Sequence, residues 1–315
     1  MIVAEDRQNE IGWRPAVTAP EPSPCPFCPG SEHLNPVEIA RVGDERQWQI
    51  RVTPDKHPLL RVEGELGQRG AGMSDVMQAV GAHELVTDTP DHERSWADFT
   101  REEMENLLQV YRARSLDLRR DPRFRFVLVL KNRAAAWSRY RHAHSHVIAT
   151  PFVPRRIDDE LAGAEAYFRR RERCVFCDQV RQTMADGSRL IAERSGFAAF
   201  APFASEYPYE TWISPIDHAA DFGSISDAAL PPLAHLLIEV LARLRRVCDD
   251  PAYSIALHSG AVDGRDAQRY HWHWEIVPQL GHALGMEWAT GIFANPVAPE
   301  RAADELRSAL VAPID

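Results

Sequence analysis

The chain has 315 residues, a hydrophobic fraction of 44%, a charged fraction of 26% and a formal net charge of −10. These values describe an ordinary globular protein, long enough for about two domains or a duplicated one. They argue against a binder of nucleic-acid duplexes or membrane surfaces, which needs a net basic face to neutralise phosphates. No apolar run approaches the ~20 residues that span a bilayer. Residues 1–10 lack the basic start and apolar core of a signal peptide, so a cytoplasmic protein is expected. Of the five cysteines, four fall in the pairs Cys25/Cys28 and Cys174/Cys177. In a cytoplasmic chain this spacing points to metal or redox chemistry over structural disulfides. Cys248 reads as a small core residue.

In chain order, Pro15, Pro20, Pro22 and Pro24 predict an extended arm leading into Cys25-Pro26-Phe27-Cys28. The segment from Trp48 to Pro54 alternates apolar and polar residues as a half-buried strand does. Gly64 to Gly72 is glycine-rich and predicts a loop. His83 to Thr87 is an apolar strand, followed by Thr89-Pro90-Asp91-His92. A helix is expected from Thr100 as N-cap to about Leu118. Glu103 completes a capping box there, and Met104, Leu107, Leu108, Tyr111 and Ser115 have helical spacing. Phe124 to Leu130 predicts a strand and Asn132 to Tyr140 a loop. From His142 to Thr150, His142, His144 and His146 alternate with small residues, so a strand puts all three imidazoles on one side.

The second half repeats this order. Cys174-Val175-Phe176-Cys177 answers the first cysteine pair, the segment from Phe197 to Pro202 answers the strand ending at Pro54, and Thr211 to His218 answers the strand ending at His92. A helix from about Ser226 to Val247, a strand over Ala252 to Leu257, and Tyr270-His271-Trp272-His273-Trp274-Glu275-Ile276 complete the series. Landmarks recurring in one order mark a duplication. Each half reads as strands plus a long helix, an α+β fold whose two antiparallel sheets join or pack. The expected halves are 1–165 and 166–315.

Each copy supplies two thiolates and two imidazoles, the ligand set of structural zinc. The first set is Cys25, Cys28, His92 and His142; the second is Cys174, Cys177, His218 and His271. A thioredoxin-like redox site would need neither the histidines nor a second copy. For the second copy, Glu160, which precedes it in the chain, with His258, His271 and His273 forms a competing set suited to iron or zinc. The cysteine set is preferred because its spacing repeats the first.

With His142 committed to a metal, His144 is the next imidazole on that side and is free to act as a nucleophile. An imidazole attacking phosphorus forms a phosphoramidate and splits one hard displacement into two easier ones. A bond from its other ring nitrogen to a backbone carbonyl would select the tautomer. His146 is placed to donate to a phosphate oxygen and stabilise charge in the transition state.

The sequence resembles the galactose-1-phosphate uridylyltransferase family, the duplicated branch of the histidine-triad superfamily, from about Cys25 to Arg307. The resemblance is carried by Cys25-Pro26-Phe27-Cys28, Pro54-Asp55-Lys56-His57-Pro58-Leu59, Thr89-Pro90-Asp91-His92 and the segment from His142 to Pro151. The second half adds Ala201-Pro202-Phe203-Ala204, Pro208-Tyr209-Glu210-Thr211-Trp212, His271-Trp272-His273-Trp274-Glu275-Ile276 and Thr290-Gly291-Ile292-Phe293-Ala294-Asn295-Pro296. It implies a duplicated histidine-triad-like fold and a nucleoside monophosphate carried on His144. It also implies Asp55 near the nucleoside, Asn132 near the phosphates, and a phosphate loop over 134–139 that includes Ser138. The paired Cys-x-x-Cys pattern looks more like the branch containing ADP-glucose phosphorylases and two-zinc members. The implied partners are a nucleotide sugar with a sugar phosphate or inorganic phosphate, and a dimer is implied by resemblance alone.

The chain departs from the family pattern at several positions. His146 stands where the transferases place Gln and gives the three-histidine pattern of the hydrolase branches. The phosphate loop is bulkier and more basic than usual. Asp55 replaces an Asn, leaving an acceptor only. The leading expectation is a nucleotidyltransferase acting through His144, and the alternative is a hydrolase or phosphorylase of dinucleoside polyphosphates or ADP-sugars. A non-catalytic, zinc-binding nucleotide sensor is a third reading. In the second copy, His273 occupies the nucleophile position beside Glu275, Trp272 and Trp274, and a structural or substrate-shaping role is expected. Glu275 and Asn295 are candidates to face the sugar.

Overall fold

The computed structural model describes residues 21, 23–133, 140–281, 285–311 and 314. Most of the proline-rich arm and the segment 134–139, with Ser138, lie outside them. The first half contributes β1 (Ala40–Gly43), β2 (Trp48–Pro54), β5 (Ala82–Thr87), α1 (Arg101–Leu118), β6 (Phe126–Arg133) and β7 (His144–Thr150). The second contributes β8 (Leu190–Arg194), β9 (Phe197–Phe200), β10 (Thr211–Pro215), α4 (Leu230–Val247), β11 (Tyr253–His258) and β12 (His273–Pro278). Between them run α2 (Arg155–Arg171) and α3 (Val175–Asp186), and α5 (Gly285–Thr290) and α6 (Pro299–Ser308) follow. The repeat of six elements, five strands and a helix, is visible in the topology. The halves join in one ten-stranded antiparallel sheet ordered β1-β2-β5-β7-β6-β11-β12-β10-β9-β8, whose two ends mirror each other about the β6–β11 seam.

α1 starts where expected: Thr100 Oγ1 accepts from the Glu103 amide and Glu103 accepts from the Thr100 amide. Its Leu107, Leu108 and Tyr111, with Leu233, Leu237, Leu241 and Leu244 of α4, pack on one face of the sheet against Val129, Val147, Ile255, Trp274 and Ile276. Each such side chain contributes roughly 1.5–3 kcal/mol by leaving water. The opposite face is free of these helices, and strand alternation places His144 and His146 on it. Register extends that face across the seam. His146 pairs with Leu130, Asn132 of the same strand as Leu130 pairs with Ser254, and Ala256 pairs with Glu275.

Several expectations change. Asn132 and Arg133, predicted as loop, extend β6 because Ser254 and Tyr253 of the other half pair with them. The glycine-rich stretch carries a small exposed hairpin, β3 (Arg69–Ala71) with β4 (Ser74–Val76). His142 lies just before β7, not within it. The α4 helix begins at Leu230, after a 3-10 turn over Asp227–Ala229. α2 and α3 have no counterpart in the sequence reading, although α2 carries Glu160 and α3 is entered through Cys174 as N-cap. Among the described residues no helix is long and apolar enough to cross a membrane.

Candidate active site

His144 Nδ1 lies 2.8 Å from the carbonyl oxygen of His142. A carbonyl can only accept, so Nδ1 bears the proton and Nε2 keeps its lone pair. The residue is buried, at 7% exposure. Burial first, and then the nearby Lys131 ammonium, push its pKa down to about 4. The imidazole is therefore neutral at pH 7, with its lone pair available. The Phe27 ring, centred 5.2 Å away, and Tyr140, at 6.1 Å, flank it.

A buried charge pair on the helix side of the sheet holds this strand in place. Lys131 Nζ donates to Asp88 Oδ2 at 2.9 Å and to the His144 carbonyl at 2.8 Å. Asp88 also accepts from Trp96 Nε1 at 2.8 Å and from Ser145 Oγ at 2.7 Å, and Ser145 meets Tyr111 OH at 2.6 Å. Burial pushes the Lys131 ammonium down from its ordinary range while Asp88 opposes that shift. Neither residue was singled out from the sequence. The signal was the parity of Val127, Val129 and Lys131, which puts the lysine on the apolar side of β6.

On the open face, His146 meets a partner that the sequence reading treated only as part of a strand. His83 Nε2 is 3.0 Å from His146 Nδ1 and 3.3 Å from Asp55 Oδ2. Asp55 Oδ1 accepts from the His57 amide at 2.8 Å. Asp55 thus stands beside His146 in the structure. Asn132 shares the face of His146, and its Oδ1 accepts from Ser254 Oγ at 2.8 Å.

Both cysteine–histidine sets assemble and can hold a metal ion. In the first, His142 Nδ1 is 3.7 Å from Cys25 Sγ and 3.5 Å from Cys28 Sγ, and His92 Nδ1 is 3.3 Å from Cys28 Sγ. In the second, Cys177 Sγ is 3.2 Å from His218 Nδ1 and 3.4 Å from His271 Nδ1. Three of the four remote nitrogens are oriented as a ligand's must be, by acceptors that hold their protons, whereas His271 Nε2 is buried with no partner among the described residues. His142 Nε2 meets the Thr89 carbonyl at 2.7 Å, His218 Nε2 the Ala267 carbonyl at 2.8 Å, and His92 Nε2 a Glu21 carboxylate oxygen at 3.4 Å. Hydrogen bonding to Cys177 pulls Cys174 down to about 4, toward the thiolate that metals bind. Burial pushes Cys28 up to about 11.

The competing set forms too, with one substitution. Glu160, His258, His273 and Glu275 converge, and Glu275 takes the position that had been given to His271. His271 belongs to the cysteine site, so the two sets do not compete for it. His258 Nδ1 is 3.0 Å from Glu160, and Glu275 lies 3.6 Å from both His258 and His273. This group can also hold a cation. His273 Nδ1 meets the His271 carbonyl at 3.1 Å, as His144 meets that of His142. The electrostatics are opposite. Burial works most strongly against protonation of His273, but the Glu275 and Glu160 carboxylates with the His271 carbonyl together outweigh it and raise its pKa. His273 also stacks on Trp212 at 4.3 Å.

Glu275 is buried and also meets Arg156 at 3.3 Å. Asn295 Nδ2 donates to the Ser205 and Tyr207 carbonyls at 3.1 and 3.0 Å, and its Oδ1 accepts from the Val297 amide. Its side chain clamps the loop before β10.

No family model matches the chain. ADP-glucose phosphorylase of Arabidopsis thaliana is 32% identical to it over 294 residues, spanning 91% of this chain and 82% of that protein. Galactose-1-phosphate uridylyltransferase of Thermotoga maritima is 23% identical over 298 residues, spanning 91% and 90%. The crystal structure of an ADP-glucose phosphorylase from Arabidopsis thaliana with bound ADP-glucose matches with a TM-score of 0.83 at 30% identity, over 93% of each chain. Similarity of this extent, in sequence and in fold, means that the chain belongs to the galactose-1-phosphate uridylyltransferase family, the nucleotidyltransferases that include ADP-glucose phosphorylase.

Proposed function

We propose that the protein moves a nucleoside monophosphate from a nucleotide sugar to phosphate or to a hexose 1-phosphate through His144. The observation that carries this reading is the neutral, Nε2-free tautomer of His144, set by its bond to the His142 carbonyl. Nε2 attacks the α-phosphorus, a nitrogen–phosphorus bond forms, and the bond to the bridging oxygen breaks. The hexose 1-phosphate leaves with that electron pair. An oxygen of the acceptor then attacks the same phosphorus and returns the lone pair to Nε2. His146 donates to the phosphate oxygens. Asp55, Asn132 and Ser138 serve the nucleotide, and Glu275 and Asn295 shape the sugar region. The halves 1–165 and 166–315 act as one catalytic and one supporting unit in a cytoplasmic homodimer that does not bind nucleic acid.

ADP-glucose is the first donor to test, with UDP-glucose beside it. Incubation with either nucleotide labelled in its α-phosphate is expected to leave acid-labile label on the protein, discharged by phosphate or a hexose 1-phosphate. No label with any nucleotide sugar would overturn the reading. Water as acceptor is the second reading, favoured by His146 in place of Gln. A transfer-to-hydrolysis ratio unchanged in His146→Gln would remove His146 from the choice of acceptor.

Zinc at the two cysteine–histidine sites is part of the proposal. Tetrahedral bonds of about 2.3 Å to sulfur and 2.0–2.1 Å to nitrogen put those ligands about 3.5 Å apart, against 3.2–3.7 Å here. When bound, the ion is a structural cross-link that fixes the start of the nucleophile strand through His142. In Cys28→Ser, zinc measured by atomic absorption is expected to fall by about one equivalent per chain, with a melting temperature lower by at least roughly 10 °C. An unchanged zinc content would count against the first site.

A further inference from the structure

We propose that His83 is a positioning residue, which holds His146 in the tautomer whose Nε2 carries the proton, so that His146 presents an N–H donor to the transferred phosphate. The role rests on the His144 reading above.

The argument starts from a donor that cannot change its role. The Leu59 amide donates to His83 Nδ1 at 3.1 Å. Nδ1 is therefore the lone-pair nitrogen of that ring, and the proton of neutral His83 sits on Nε2. That N–H faces His146 Nδ1 at 3.0 Å and Asp55 Oδ2 at 3.3 Å. Asp55 cannot supply a proton as a carboxylate, and its Oδ2 is 3.7 Å from His146 Nδ1, too far for a good hydrogen bond. His146 Nδ1 is thus an acceptor. Its proton moves to Nε2, on the edge of the ring away from His83. The His146 ring stands nearly perpendicular to that of His144, with centroids 5.4 Å apart.

The same donor argues against a cation among Asp55, His83 and His146, although their ligand atoms converge. An imidazole that binds a metal through one nitrogen carries a proton on the other and gives it to an acceptor. His83 Nδ1 instead receives a proton from an amide, so Nε2 cannot be both metal-bound and part of a neutral ring. Register explains how the group meets. His83 and Leu85 share a face of β5, and Leu85 pairs with His146 of β7. His83 is 3% exposed at its side chain, so its orientation is fixed by packing.

The test uses the whole protein. With ¹⁵N-labelled histidine, two-bond proton–nitrogen correlation spectra are expected to show His146 protonated on Nε2 in the wild type, and a mixture of tautomers in His83→Leu. Single-turnover nucleotidylation of His144 by labelled ADP-glucose is expected to slow by roughly 10–100-fold in His83→Leu, with the Kd for ADP-glucose changed less than about 3-fold. His83→Gln, whose amide N–H replaces the Nε2 donor, is expected to recover most of that rate. A wild-type His146 protonated on Nδ1, an unchanged rate in His83→Leu, or equal loss in the Leu and Gln variants would overturn the proposal. The wild-type spectrum needs no variant, so failure of His83→Leu to fold does not shield the proposal. Absence of covalent nucleotide on the wild type overturns the His144 reading instead, while the spectrum still reports on His83.

Discussion

Replacing His144 with alanine is expected to abolish covalent nucleotide on the protein and to lower kcat by at least about 10⁴-fold, the scale seen when a covalent nucleophile is removed. The expectation follows from how completely the site prepares this one nitrogen. The His142 carbonyl holds the proton on Nδ1, and burial beside Lys131 keeps the ring neutral. The other two imidazoles stand in different surroundings. His146 turns its Nδ1 toward the His83 proton, and His273 is held by Glu275 and by Trp212. Among the described residues the side chain makes no other hydrogen bond, so the melting temperature should change little. Quench-flow with labelled ADP-glucose separates the outcomes: equal label in His144→Ala and wild type would remove His144 from the mechanism.

Lys131→Met is expected to destabilise the protein by about 3–5 kcal/mol, because it leaves the carboxylate of Asp88 buried without its cation. Both side chains are at most 2% exposed, so solvent cannot take over. Trp96 and Ser145 still donate to Asp88, which puts the cost toward the lower end. For a chain of this length that is a fall in melting temperature of roughly 5–8 °C. Removing both charges, in Lys131→Met with Asp88→Asn, should recover part of the loss, and thermal denaturation of the single and double variants reads the coupling directly. The single variant should also lose activity, since Lys131 donates to the carbonyl of the nucleophile itself. A melting temperature within 1 °C of wild type, a margin of about 0.7 kcal/mol, would show that the pair adds nothing to stability.

The two copies diverge in charge more than in backbone. His144 and His273 each donate from Nδ1 to the carbonyl two residues back, and each has a phenylalanine ring, Phe27 or Phe176, within 5.4 Å. A cation, Lys131, stands behind the first ring and a carboxylate, Glu275, beside the second. The first is thereby kept neutral and the second drawn toward the charged form. One backbone design thus holds a neutral imidazole, the proposed nucleophile, in one half and a buried polar network in the other.

Local chemistry was readable from the sequence because it is written in short spacings. The cysteine pairs, the alternation of His142, His144 and His146, the capping box at Thr100 and the order of the repeated elements all depend on residues near one another in the chain. Those features led to the two cysteine–histidine sets that the structure brings together, to the proposed nucleophile and to the α+β architecture. Tertiary structure decided what depends on pairing between distant strands. The continuous sheet exists because β6 meets β11, which also turns Asn132 from a loop residue into a strand residue. Glu275 joins Glu160, His258 and His273 because strand register and α2 bring them together, and His271 is drawn instead to the cysteines. His83 reaches His146 across neighbouring strands, and Lys131 reaches Asp88, just past the end of β5, over the intervening β7. A period of two tells which side of a strand a residue faces, but not which residue of another strand stands beside it.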